Sequence, residues 1–171
     1  GGKEGRPYTV GVLVQANHGG RPHLTVDGVP VGREIPALTP ERGEVRGKSI
    51  LIVVATDAPL TPGQLQRLAK RTGMGLARTG ALSMHSSGDL ALAFSTGNRL
   101  PARSSVRTEA LEVLDDEAIT PLYQATIEAT EEAVLNALTA ATTMTGRDGN
   151  RVHALPLDRL VEVMRRYGRL K

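Results

Sequence analysis

The sequence predicts a layered α+β or mixed α/β domain, on three observations. Short aliphatic runs stand first, helical patterns gather later, and the connections between runs read as hairpins as well as crossovers. The core has to be aliphatic, because 40% of the 171 residues are hydrophobic yet they include one Phe, three Tyr and no Trp. Aliphatic, β-branched runs suit strands covered by helices. The length suggests one domain or one large piece of a domain.

The elements follow in order. Tyr8 to Gln15, "YTVGVLVQ", reads as a buried strand that stops at the turn cluster Asn17 to Gly20. Leu24 to Val31 alternates apolar residues around Asp27-Gly28, a hairpin signal. Gly32 to Lys48 is polar, with Pro36 and Pro40, and reads as an exposed loop of a length usually functional or disordered. Ile50 to Ala55 is apolar on both faces, which predicts a central strand. Thr61-Pro62 opens a helix, with Thr as cap and Pro where no hydrogen bond is lost. Leu65, Leu68, Ala69 and Leu76 fall near one face of it; Gly73, Gly75 and Gly80 weaken it and help end it. Ala81 to Asp89 is a polar loop, Leu90 to Ser95 the next strand, and Gly97 to Thr108 a loop again. Thr120-Pro121 repeats the helix start, and that helix runs to about Thr143, with Tyr123, Ile127, Val134, Leu138 and Ala141 on one side. Gly146 to Asn150 is a turn; Leu157, Leu160, Val161 and Met164 mark a last helix that Gly168 stops.

Charge and composition narrow the function classes. Net charge is +3, and the basic residues are scattered, mostly Arg and without interleaved aromatics, which argues against a nucleic-acid stripe. There is no Cys, so disulfides, thiolate metal sites and a Cys nucleophile are excluded. No apolar run approaches the ~20 residues of a membrane span. Gly1 to Gly5 has no signal-peptide core, and the chain starts without Met, as a processed or truncated product would. Absence of Cys fits either side of a membrane and leaves the compartment open, with the cytoplasm of a bacterial-type cell as the expectation.

Three polar sites each stand at the end of an apolar strand: Asn17, Ser49, and Ser86-Ser87-Gly88-Asp89. Together they offer hydroxyls, an amide donor and a carboxylate, the inventory of acyl transfer. Each also has a plain reading: Asn17 and Ser87-Gly88-Asp89 as turns, Ser49 as a surface serine. Spacing alone does not bring them together. The histidines show no i, i+4 metal spacing, and a Ser-His-Asp triad would need His85 against Ser49.

Four strings in order, "YTVGVLVQANHG", "SILIVVATDAPL", "SSGDLALAFST" and "ATEEAVLNAL", resemble the DmpA-type aminopeptidases. This L-aminopeptidase/D-esterase family (peptidase family S58) also contains the β-peptidyl aminopeptidases. The resemblance runs from about Tyr8 to the C-terminus. It implies an αββα four-layer sandwich like that of N-terminal-nucleophile hydrolases and ornithine acetyltransferases, present here in part. Residues 1–48 would be the C-terminal end of the α-chain part. Residues 49–171 would be the β-chain, released by self-cleavage between Lys48 and Ser49.

By the same resemblance Ser49 is the nucleophile, Asn17 the oxyanion donor, and Ser87 and Asp89 the hydroxyl and acid that orient it; some relatives carry Glu where Asp89 stands. The freed α-amine, with a pKa of about 7.7–8.0, would serve as base. Lys48 departs from the small residue usual before the nucleophile, which raises an uncleaved form as an expectation. The implied substrates are short peptides, aminoacyl-amides or esters. The implied partners are the missing α-chain portion and further copies of the chain. No cofactor, nucleic acid or membrane is implied. Two other readings stand beside this one: an acyltransferase, whose relatives use Thr as nucleophile, and a catalytically silent assembly domain.

Overall fold

The computed structural model describes residues 7–35, 49–102 and 107–171. Its centre is a three-stranded sheet of β1 (Val10–Asn17), β2 (Ser49–Thr56) and β3 (Leu90–Ser95), in the order β1-β2-β3. β1 runs antiparallel to β2, and β2 runs parallel to β3. The doubly apolar run at Ile50 to Ala55 is therefore the central strand. Its even-numbered residues Ile50, Ile52, Val54 and Thr56 are buried against the helices. Thr56 is held there because its hydroxyl donates to the Thr9 carbonyl at 2.8 Å. Asp57 accepts from the Thr9 N–H at 2.7 Å, so this carboxylate ties off the start of β1.

The parallel β2–β3 step is crossed by α2 (Pro62–Arg78). Thr61 caps α2 and forms a reciprocal pair with Gln64, each side chain taking the other's backbone N–H. Gly73 and Gly75 lie inside this helix rather than at its end. A Cβ on Gly75 would sit 2.3 Å from the Ile127 carbonyl oxygen and 2.8 Å from the Thr130 side chain. The glycine is there for close helix–helix contact.

The partner helix is α3 (Thr120–Ala140), which also packs on β1. It ends at Ala140, before the expected Thr143, because Ala141 is extended. Thr120 is not its cap. A 3₁₀ turn, Asp116–Ile119, feeds the helix and is itself capped by Asp115, which accepts from Glu117 N at 2.8 Å. The fully buried stripe is Leu122, Thr126, Thr130 and Val134. The two threonines tolerate burial because each hydroxyl donates to the carbonyl four residues back, at 2.7 Å.

A second, smaller core lies beside the sheet. Residues 24–31 form a tight turn with one bridge, Val26 to Val29, rather than a hairpin. Asp27 and Gly28 take the positive φ values of a hairpin turn, but Pro30 has no N–H to continue the ladder. The start of the expected exposed loop is also different. α1 (Val31–Glu34) is a buried helical turn, and with Val29 and Ile35 it packs against Val163 and Met164 of α4 (Leu157–Arg166). Glu34 binds Arg166 and accepts from the Tyr167 hydroxyl at 2.7 Å. Gly168 ends α4 at φ +70°. The rest of the expected loop, residues 36–48 with Lys48, lies outside the described residues. Gly146 to Asn150 joins two short strands, β4 (Met144–Thr145) and β5 (Arg151–Val152). Among the described residues no helix is long and apolar enough to cross a membrane.

Candidate active site

Strand pairing sets the first contact. In the antiparallel register the last residue of β1, Asn17, lies directly opposite the first residue of β2, Ser49. Odd-numbered positions of β2 point away from α2 and α3, so Ser49 and Asn17 share the sheet face that carries no helix. Parallel pairing sets the second contact. β3 begins beside Leu51, which brings the preceding loop, residues 81–89, to the start of β2.

At that point the Gly88 N–H donates to Ser49 Oγ at 3.0 Å. A Cβ on Gly88 would stand 3.2 Å from the same oxygen, so a side chain here would crowd the hydroxyl. Asp89 Oδ1 accepts from Ser87 Oγ at 2.5 Å and from Ile50 N–H at 3.2 Å. The carboxylate therefore grips the strand one residue past Ser49. The Ser83 hydroxyl also reaches Asp89, and Ser83 holds a left-handed φ of +42°. Such strain in a non-glycine residue persists only where its surroundings enforce it.

Electrostatics follow from this geometry. Burial pushes the Asp89 carboxyl up, but hydrogen bonds from Ser87, Ser83 and Ile50 N–H and the nearby His18 outweigh it. The net position is below the ordinary carboxylate value. Burial pushes the His18 imidazole down, partly opposed by the Asp89 charge. His18 and Asp89 line one small cavity with Ser83, Ser87 and His23. His85 is exposed and does not line that cavity. Among the described residues no group of His, Asp and Glu gathers to hold a metal ion.

The structure thus brings Asn17, Ser49, Ser87 and Asp89 to one end of the sheet. Lys48 lies outside the described residues. Gly88 lies within the Ser86–Asp89 site read from the sequence, and it meets Ser49 through its backbone N–H. Sequence reasoning passed over two neighbours of Asp89: Ser83, on a strained turn six residues before it, and His18, whose usable signal was its place next to Asn17.

A sheet backed by helices on one face and open on the other fits the layered fold of the N-terminal-nucleophile hydrolases. The family model for peptidase family S58 matches residues 2–152, and the chain belongs to that family. It is similar to the L-aminopeptidase D-Ala-esterase/amidase of Ochrobactrum anthropi, described as a prototype of the serine aminopeptidases with a variant of the N-terminal-nucleophile hydrolase fold. That match has TM-score 0.89 and 44% identity, covering 98% of this chain and 46% of that one. The PH0078 protein of Pyrococcus horikoshii matches with TM-score 0.88 and 49% identity, over 98% of this chain and 45% of that one. β-Peptidyl aminopeptidase BapA of Sphingosinicella xenopeptidilytica is 44% identical over 92% of this chain and 42% of its own length. The chain spans less than half the length of these relatives.

Proposed function

We propose that the chain is part of a serine aminopeptidase that releases N-terminal residues from short peptides, amides or esters. Residues 1–48 are read as the end of the α-chain part and residues 49–171 as the β-chain, made by self-cleavage before Ser49. The observation that carries the reading is the convergence on Ser49. Its hydroxyl meets the Gly88 N–H, Asn17 stands opposite, and Asp89 grips the next backbone N–H.

The chemistry follows from those groups. The freed α-amine of Ser49, in its neutral form, takes the hydroxyl proton as Oγ attacks the scissile carbonyl. The Asn17 side-chain amide donates to the developing oxyanion. The ammonium then returns its proton to the leaving amine, and water repeats the cycle on the acyl-enzyme. Asp89 orients Ser87 through the 2.5 Å hydrogen bond and fixes the start of β2. The remainder of the α-chain supplies the second sheet and most of the substrate pocket, and the active form is a homo-oligomer.

The test uses the complete enzyme with a small aminoacyl p-nitroanilide. Ser49→Ala is expected to lower turnover by about 10⁴-fold or more, as removal of a nucleophile does. It is also expected to leave the precursor uncut by intact-mass measurement. Turnover retained in that variant refutes the reading.

A further inference from the structure

One titratable ring near the site has no place in the mechanism above. His18 follows Asn17, the last residue of β1, directly. It lines the cavity whose other polar walls are Ser83, Ser87, Asp89 and His23. The cavity volume is about 10 Å³, close to the smallest that holds one water. Nδ1 of His18 is sealed from solvent and has no hydrogen-bonding partner among the described residues.

That geometry favours the uncharged ring. An imidazole lone pair left unpaired costs less than a buried N–H of a cation left unpaired. With Nδ1 as the bare nitrogen, the single proton sits on Nε2. Protonation would place a donor on Nδ1, which meets no acceptor among the described residues, and a positive charge near Asp89. The carboxylate would then be drawn toward the ring and away from Ser87 and the Ile50 N–H, the contacts that hold it. The other titratable side chains facing this cavity are Asp89 and His23.

We propose that His18 is a positioning residue for the Asp89 carboxylate: the uncharged ring walls the acid side of the site, and its protonation at low pH withdraws the support of the nucleophile. The proposal rests on the assignment of Ser49 and Asp89 above. Burial already lowers the proton affinity of His18 and the Asp89 charge opposes that lowering, so the two groups are coupled. Coupling is reciprocal: removing the acid must lower the imidazole midpoint further.

Two measurements on the complete enzyme test it. In the first, ¹³C-labelled histidine is titrated by NMR, with His18→Gln identifying the signal. The His18 midpoint is expected below the ordinary value of 6.5 and is expected to fall further in Asp89→Asn. This arm needs no turnover, so it stands even if the Ser49 assignment fails. In the second, kcat/KM on the aminoacyl p-nitroanilide is followed from pH 8 downward. The α-amine alone gives a logarithmic slope of one; below the His18 midpoint the slope is expected to reach two. One pH unit below that midpoint, His18→Gln is expected to exceed the parent by about tenfold relative to their ratio at pH 8, with KM unchanged there. An ordinary midpoint insensitive to Asp89→Asn overturns the coupling. A second ionisation that persists in His18→Gln overturns the role.

Discussion

The two faces of the central sheet are built from similar residues and have opposite fates. On one face Ile50 and Val54 are 0% exposed beneath α2 and α3. On the other, Leu13 is 72%, Leu90 62% and Leu92 58% exposed, with Leu51 and Phe94 beside them. Strand alternation puts Asn17 and Ser49 on this second face. An apolar face of this extent is unusual on an isolated domain, and it marks a surface meant to be covered. The comparison teaches that the covered face makes the fold and the open face carries the candidate chemistry. In the proposed enzyme a second sheet closes the pocket over it.

Substitutions can break this contrast, beginning with the largest effect. Leu68→Ala, at a fully buried position of α2, is expected to destabilise the protein by about 2–5 kcal/mol, read by urea unfolding. Asn17→Ala, on the open face, is expected to lower kcat by about 10²–10³-fold in the complete enzyme while the unfolding midpoint moves little. Equal losses of stability and turnover in either variant would erase the distinction between the faces. Gly75→Ala forces a methyl against the Ile127 carbonyl and is expected to cost about 1–3 kcal/mol, with kcat per folded molecule unchanged.

Acid should separate the two regions more gently. His18 binds its proton less tightly when folded, so stability falls as pH drops below the ordinary imidazole value toward the lowered one. Asp89 is lowered too, so its contribution is complete above the ordinary carboxylate value and is lost as pH falls through its folded one. Thermal melts of the parent and His18→Gln from pH 8 to 4 are expected to diverge in the first window and run parallel above it. The smallest effect is at the open face itself: Leu92→Ala in this chain alone is expected to shift stability by no more than about 0.5 kcal/mol. A large loss there would mean that the chain covers this face by itself.

Much of this architecture was legible in the residues. β2, β3 and α2 are bounded by turn residues and caps, and their apolar runs are plain. β1 was read as a buried strand from Tyr8 to Gln15, but it runs Val10–Asn17 with Leu13 and Gln15 exposed, because no helix among the described residues covers that face. Longer-range effects were not legible. α1 is only four residues long, and its burial comes from α4 near the other end of the chain. The buried face of α3 is half threonine, which a hydrophobic pattern does not register until each hydroxyl is seen bonded to its own helix. The first turn of that helix hid behind Thr120-Pro121, because the capping residue Asp115 stands before the 3₁₀ turn. At the site, Asn17, Ser49, Ser87 and Asp89 were each visible as polar residues at strand ends. Their meeting depends on register and on where the 81–89 loop lands, and no local signal encodes that. Gly88 and Ser83 contribute a backbone N–H and a strained hydroxyl, neither of which has a sequence signature.

The central claim is that Ser49 Oγ, held by Gly88 N–H, is the group that takes the acyl. The direct measurement is peptide mass mapping of the complete protein after brief reaction with an aminoacyl p-nitrophenyl ester and acid quench. The account predicts one acyl adduct, on the peptide that begins with Ser49. An adduct on Ser87 or elsewhere, with Ser49 unmodified, would contradict it.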